Sequence, residues 1–167
     1  LLTAVLQGIF AAQAFVLVEP SETLSRVNRA LIARGVEARF ATVFFGIIRP
    51  DGRFTYCNAG HNPPLLLTAG GVQRLETGGM IVGLFPYATY DQETLQLAAG
   101  DVLTVFSDGV SEALSAAGEE FGEDGVRDSV LSPGDGSTET SLQRLLGSVK
   151  RFTEGAVQND DVTAMIV

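Results

Sequence analysis

The sequence predicts a domain of the α+β class on three observations. Apolar residues recur at three- and four-residue spacing in the first stretch of the chain. A middle stretch is built of β-branched and aromatic runs divided by Asp-Gly and Gly-Gly turns. Helical patterning then returns before a last apolar run. Helices, a block of strands, further helices and a closing strand describe sheet covered by helices on its outer faces.

In chain order, Leu2, Leu6, Ile9, Phe10, Ala14, Phe15 and Val18 predict a helix over residues 1–18 that is apolar on most sides and must be covered. Pro20-Ser21-Glu22 opens a second helix with Leu24, Val27, Leu31 and Ile32 on one side and Gly35 as its stop. Thr42–Ile48 and Arg53–Cys57 flank Pro50-Asp51-Gly52, a strong hairpin signal. Pro64–Thr68 and Val72–Leu75 read as a second hairpin across Ala69-Gly70-Gly71. Thr94–Leu97 and the turn Ala99-Gly100-Asp101 precede Val102–Phe106, whose apolar residues on both faces predict a central strand. Val110–Leu114, Glu123–Leu131 and Ser141–Phe152 read as helical pieces interrupted by a loop at Ser132–Ser137, and Val162–Val167 as the final strand.

A length of 167 residues with 46% hydrophobic residues supplies one domain with a core. No apolar run approaches the ~20 residues that span a bilayer, so membrane insertion is not expected. Eleven basic against twenty acidic residues leave a net charge of −9, which opposes nucleic acid as a partner and suits cations, although acidic solubility alone accounts for it. The single cysteine, Cys57, fits a reducing cytoplasm and reads as a packed residue rather than a nucleophile. Leu1-Leu2-Thr3-Ala4-Val5 has neither a start methionine nor a basic n-region, which favours a truncated beginning over a signal peptide.

Two acidic turns carry the chemistry. Phe106-Ser107-Asp108-Gly109 follows one apolar strand, and Gln158-Asn159-Asp160-Asp161-Val162-Thr163 precedes another. Each has an ordinary reading as a polar turn. Side by side, they would offer hard oxygen ligands to Mg²⁺ or Mn²⁺. Gly109 would allow close backbone approach to a ligand. The only histidine, His61, lies in Asn58-Ala59-Gly60-His61-Asn62-Pro63-Pro64, where a loop-holding role is the plain reading. Serine-hydrolase and zinc motifs are absent. Gly78-Gly79-Met80-Ile81-Val82-Gly83 offers a weak phosphate-loop reading, without the lysine such a loop needs.

Taken in order, Asn28-Arg29-Ala30-Leu31, Ala41-Thr42-Val43-Phe44, Asn58–Pro64, Gly83-Leu84, Gly100-Asp101, Phe106–Ala113 and Asp160-Asp161-Val162-Thr163 resemble the bacterial PP2C-like serine phosphatases of the SpoIIE and RsbU type, within the metal-dependent PPM superfamily. The resemblance covers essentially the whole chain. It implies a sandwich of two antiparallel sheets flanked by helices, with a two-metal Mn²⁺ or Mg²⁺ site at one edge. Asp108 matches a metal-ligating aspartate and Asp160 the second ligand, with Asp161 the less favoured choice. Asn58 and His61 are implied only as supporting residues.

The implied activity is hydrolysis of a phosphoserine or phosphothreonine monoester by water held between two metals about 3.5–4 Å apart, with no covalent intermediate. The implied substrate is a phosphorylated regulatory protein, an anti-sigma-factor antagonist, and the resemblance is compatible with a homodimer. Further family aspartates come from an upstream Gly-Asp-x-x-Asp-type strand and an Asp-Val-Ser-Gly-type turn. The sequence starts at the helix that follows them, so the expectation for 1–167 is a domain lacking its N-terminal metal-site segment, with at most half of the cage. Two further readings stay open: a catalytically inactive regulatory or binding module of the same fold, and a single-metal protein unrelated to phosphate.

Overall fold

The computed structural model describes residues 2–13, 19–33, 40–132, 137–158 and 160–167. The elements run α1 (Leu2–Gln13), α2 (Pro20–Ala33), β1 (Val43–Ile48), β2 (Arg53–Ala59), β3 (Leu65–Thr68), β4 (Gly71–Arg74), β5 (Gly78–Gly79), β6 (Glu93–Gln96), β7 (Val102–Phe106), α3 (Asp108–Ser111), α4 (Gly122–Leu131), α5 (Thr138–Phe152) and β8 (Ala164–Ile166). The expected continuation of the first helix through Ala14, Phe15 and Val18 lies outside the described residues, as do Gly35 and most of the Ser132–Ser137 loop. The chain forms two compact units, Leu1–His61 with Glu76–Ala98, and Asn62–Leu75 with Ala99–Val167.

In the first unit, β1 and β2 form the hairpin expected around Asp51-Gly52, in register from Val43 opposite Ala59 to Ile48 opposite Phe54. The other edge of β2 pairs antiparallel with β6 and, through Asn58 and Ala59 alone, parallel with β5. The turn is tied by the Asp51 carboxylate, which accepts from the Arg53 backbone N–H at 3.1 Å and from its Nε at 2.8 Å. The backbone bond, followed by the guanidinium, holds the Asp51 carboxyl below the usual carboxylate range. Leu24, Val27 and Leu31 recur along one side of α2 and are buried with Ile9 of α1, Cys57, Ala59, Val82 and Tyr90. Phe10 of α1 meets Phe45 of β1 at 5.6 Å between ring centroids.

Asn28, also on the buried side of α2, would cost free energy there without partners. It has two: its Nδ2 donates to the Phe85 carbonyl at 2.9 Å and its Oδ1 accepts from the Gly83 N–H at 2.7 Å. The segment carrying Gly83 and Phe85 has no regular ladder of its own there, so the Asn28 amide substitutes for one.

In the second unit the strand order is β4-β3-β7-β8, all antiparallel. Strand β7 is interior, as expected, with Leu103 and Phe106 both buried although they point to opposite faces. Phe106 joins Leu65, Leu67, Val110, Val126 and Val130 of α4, and Leu145 and Val149 of α5, in one core. Helix α5 begins cleanly because Ser137 Oγ accepts from the Thr140 N–H at 3.1 Å, and Lys150 and Arg151 in its last turn complement the helix dipole. The result is an α+β fold with two antiparallel sheets, antiparallel but for the short β2–β5 pairing, flanked by helices. Among the described residues no helix is long and apolar enough to cross a membrane.

Candidate functional site

The two acidic turns meet. Pairing of β7 with β8 sets Phe106 opposite Ala164, which brings the residues after one strand beside those before the other. The Ser107 N–H donates to the Thr163 carbonyl at 2.9 Å, continuing the ladder by one rung. The Ser107 hydroxyl then joins the turns twice, donating to the Asp161 carbonyl at 2.9 Å and accepting from the Thr163 N–H at 3.1 Å.

Gly109 completes the join. A Cβ at this position would sit 2.3 Å from the Asp161 carbonyl oxygen, so no other residue fits without displacing that backbone. The close approach expected at Gly109 is therefore to the chain's own second acidic turn. Ser107 was legible only as part of a motif, because its partners lie more than fifty residues away.

Both aspartates face solvent and both use one carboxylate oxygen locally. Asp108 Oδ1 accepts from the Gly109 N–H at 2.9 Å, at the first position of α3. Asp160 Oδ1 accepts from the Asp161 N–H at 2.7 Å, and the Gln158 amide donates to the Asp160 carbonyl at 2.9 Å. Each keeps its second oxygen for another partner. Asp108 and Asp160 line one cleft of 510 Å³, together with Glu112, Glu120, Lys150 and the aliphatic side chains of Leu146, Val149, Val157 and Val162. Neither Glu112 nor Glu120 was singled out from the sequence. The spacing of Asp108 and Glu112, one helical turn apart, is the signal that could have found the first; Glu120 arrives through its bridge to Leu114.

Asn58 and His61 belong to the first unit. The Asn58 amide closes its own loop, with Oδ1 accepting from the His61 N–H at 2.8 Å and Nδ2 donating to the His61 carbonyl at 3.0 Å. This pairing holds the backbone of the Asn-Ala-Gly-His turn. Next to it, a Cβ on Gly78 would lie 1.8 Å from the Asn58 carbonyl oxygen, so this glycine serves the tight β2–β5 pairing and not a phosphate loop.

The donor set can be tested against the two-metal site that the fold implies. Among the described residues, no group of three or more His, Cys, Asp and Glu side chains gathers closely enough to hold a metal ion. Asp108 and Asp160 are suitable hard-oxygen donors at converging turns, but Mn²⁺ and Mg²⁺ bind tightly only when several such oxygens gather. The residues described here do not complete the site.

The structure is similar to that of the PP2C phosphatase domain with a fragment of the regulatory domain of the cell fate determinant SpoIIE from Bacillus subtilis, with a TM-score of 0.77 and 18% identity over 98% of this chain and 47% of that one. This likeness shows the PP2C-like sandwich fold. Among curated proteins, Protein IcfG of Synechocystis sp. (strain ATCC 27184 / PCC 6803 / Kazusa) is 34% identical over 138 residues, 80% of this chain and 21% of that protein. Phosphoserine phosphatase RsbU of Bacillus subtilis (strain 168) is 31% identical over 104 residues, 60% of this chain and 31% of that protein. The chain thus corresponds to between a fifth and a third of these relatives' length. The family model described as Stage II sporulation protein E (SpoIIE) matches residues 1–167, and the chain accordingly belongs to the SpoIIE family.

Proposed function

We propose that these 167 residues act as a PP2C-fold binding module for a phosphorylated regulatory protein of the anti-sigma-factor-antagonist class, and do not hydrolyse it with their own side chains. One observation carries this reading: the two acidic turns converge, yet no three metal donors gather among the described residues. The choice of ligand follows from family membership and from the relative named as a phosphoserine phosphatase.

A second reading, an Mn²⁺- or Mg²⁺-dependent serine/threonine phosphatase, is favoured by the join at Ser107, which sets the Asp160 turn against the Asp108 turn as a metal-site edge would require. In that reading Asp108 and Asp160 are ligands, Asp161 lies outside the coordination sphere, and further carboxylates join them. The cytoplasm is the proposed location and a homodimer is compatible with both readings.

Calorimetry and phosphate release, run together on the chain with a phosphoserine-bearing antagonist protein and Mn²⁺, separate the two. Binding without release supports the module. Release that disappears in Asp108→Asn supports the phosphatase, and absence of binding overturns both.

A further inference from the structure

The cleft beside the acidic turns has a wall that neither reading uses. Asp108 opens α3, Glu112 caps its end, Glu120 is bridged to Leu114, and Asp160 precedes β8, so four acids from separate points of the chain face one space of 510 Å³. Among the described residues no ion pair engages any of the four, and Lys150 is the only cation in the lining. Between them, α5 and the segment after it present aliphatic surface: Leu146 is 39% exposed and Val157 83% exposed. Water-facing leucine and valine beside carboxylates that take no cationic partner among the described residues are not explained by packing of this unit.

We infer that this groove receives a segment of a partner protein in which an arginine or lysine stands beside an aliphatic residue. The occupant follows from complementarity. Four carboxylates against one ammonium select positive charge, and they repel phosphate backbones. Because no three metal-type donors among the described residues gather around one point, the spread of these four matches a long side chain better than a point cation. Arginine and lysine carry an apolar stem that can lie along Leu146 and Val157 while the head reaches the acids. A cleft of this volume is large enough to bury such a pair of side chains. The inference rests on the module reading, to which it adds the chemistry of the docking segment.

The test uses the whole chain and a short fluorescein-labelled peptide alternating arginine and leucine, with a glutamate–leucine peptide of the same length as control. Fluorescence anisotropy is expected to show salt-sensitive binding of the first peptide only. Affinity should fall at least about tenfold in Glu112→Lys/Glu120→Lys and in Leu146→Ser/Val157→Ser, whose exposed positions preserve the fold as checked by circular dichroism. Equal binding of both peptides, unchanged affinity in both variants, or no binding overturns the inference. So does Mn²⁺ binding, or self-association in sedimentation, that is lost in the variants while the peptide fails to bind. Calorimetry with the phosphoserine-bearing antagonist separates the two levels. If that protein binds and the variants leave its affinity unchanged, the groove assignment fails alone. If it never binds while the peptide does, the module reading fails and the groove stands.

Discussion

The Ser107 hydroxyl donates to the Asp161 carbonyl at 2.9 Å, so a single small side chain ties the turn that carries Asp108 to the turn that carries Asp160. The same oxygen accepts from the Thr163 N–H. Ser107→Ala removes both bonds and is expected to cost about 1–2 kcal/mol of stability, since water can reach this exposed edge and replace part of what is lost. Gly109→Ala should cost more, about 1–3 kcal/mol, because its Cβ meets a backbone carbonyl and not a flexible side chain. Urea denaturation of the two variants checks the order; a Gly109→Ala protein as stable as the parent would contradict the close approach.

The Asn28 clamp predicts a larger and more local effect. Asn28→Leu leaves the Gly83 N–H and the Phe85 carbonyl without their partner. An expected loss of about 2–4 kcal/mol follows from two hydrogen bonds to a buried amide. Amide hydrogen exchange should accelerate at Gly83 before it does so in β2. Uniform acceleration across both would show that Asn28 supports the fold generally and not that segment.

Stability should decline in alkali from the core of the first unit. Burial, with the nearby Asp91 charge, pushes the Cys57 thiol from an ordinary 9.0 to about 12. Burial also raises the Tyr56 hydroxyl from 10.0 to about 12, helped by its bond to Glu93, and it raises Tyr90 to about 12 with a contribution from Cys57. The folded state therefore holds protons that the unfolded chain gives up from about pH 9 onward. Their contribution is complete below that point and is lost as pH rises toward about 12. Thermal melts across this window should show Tm falling, and less steeply in Cys57→Ala and Tyr90→Phe once each is compared with its own value at neutral pH. Slopes identical to the parent's would place the alkaline sensitivity elsewhere.

What the sequence made legible was local. Asp51-Gly52 between two β-branched runs is sufficient for the β1–β2 hairpin, and apolar residues on both faces of Val102–Phe106 mark β7 as interior. Contacts set by distant residues were not legible. Strands β6 and β7 are neighbours along the chain but belong to different sheets, and the short parallel pairing of β5 with the end of β2 has no periodic signal. The same division holds at the site. Asp108 and Asp160 stand out because each sits in a turn at a strand end. Ser107 and Glu120 owe their places to partners that the pattern around them does not reveal.

The account turns on how strongly the converging aspartates hold a divalent cation, and an Mn²⁺ titration of the 167-residue chain followed by electron paramagnetic resonance measures this directly. With Asp108 and Asp160 as the converging donors, the free-ion signal should rise in proportion to added Mn²⁺ through the micromolar range, with Asp108→Asn indistinguishable from the parent. Saturable micromolar uptake that vanishes in Asp108→Asn would contradict it and establish a complete metal centre within these residues.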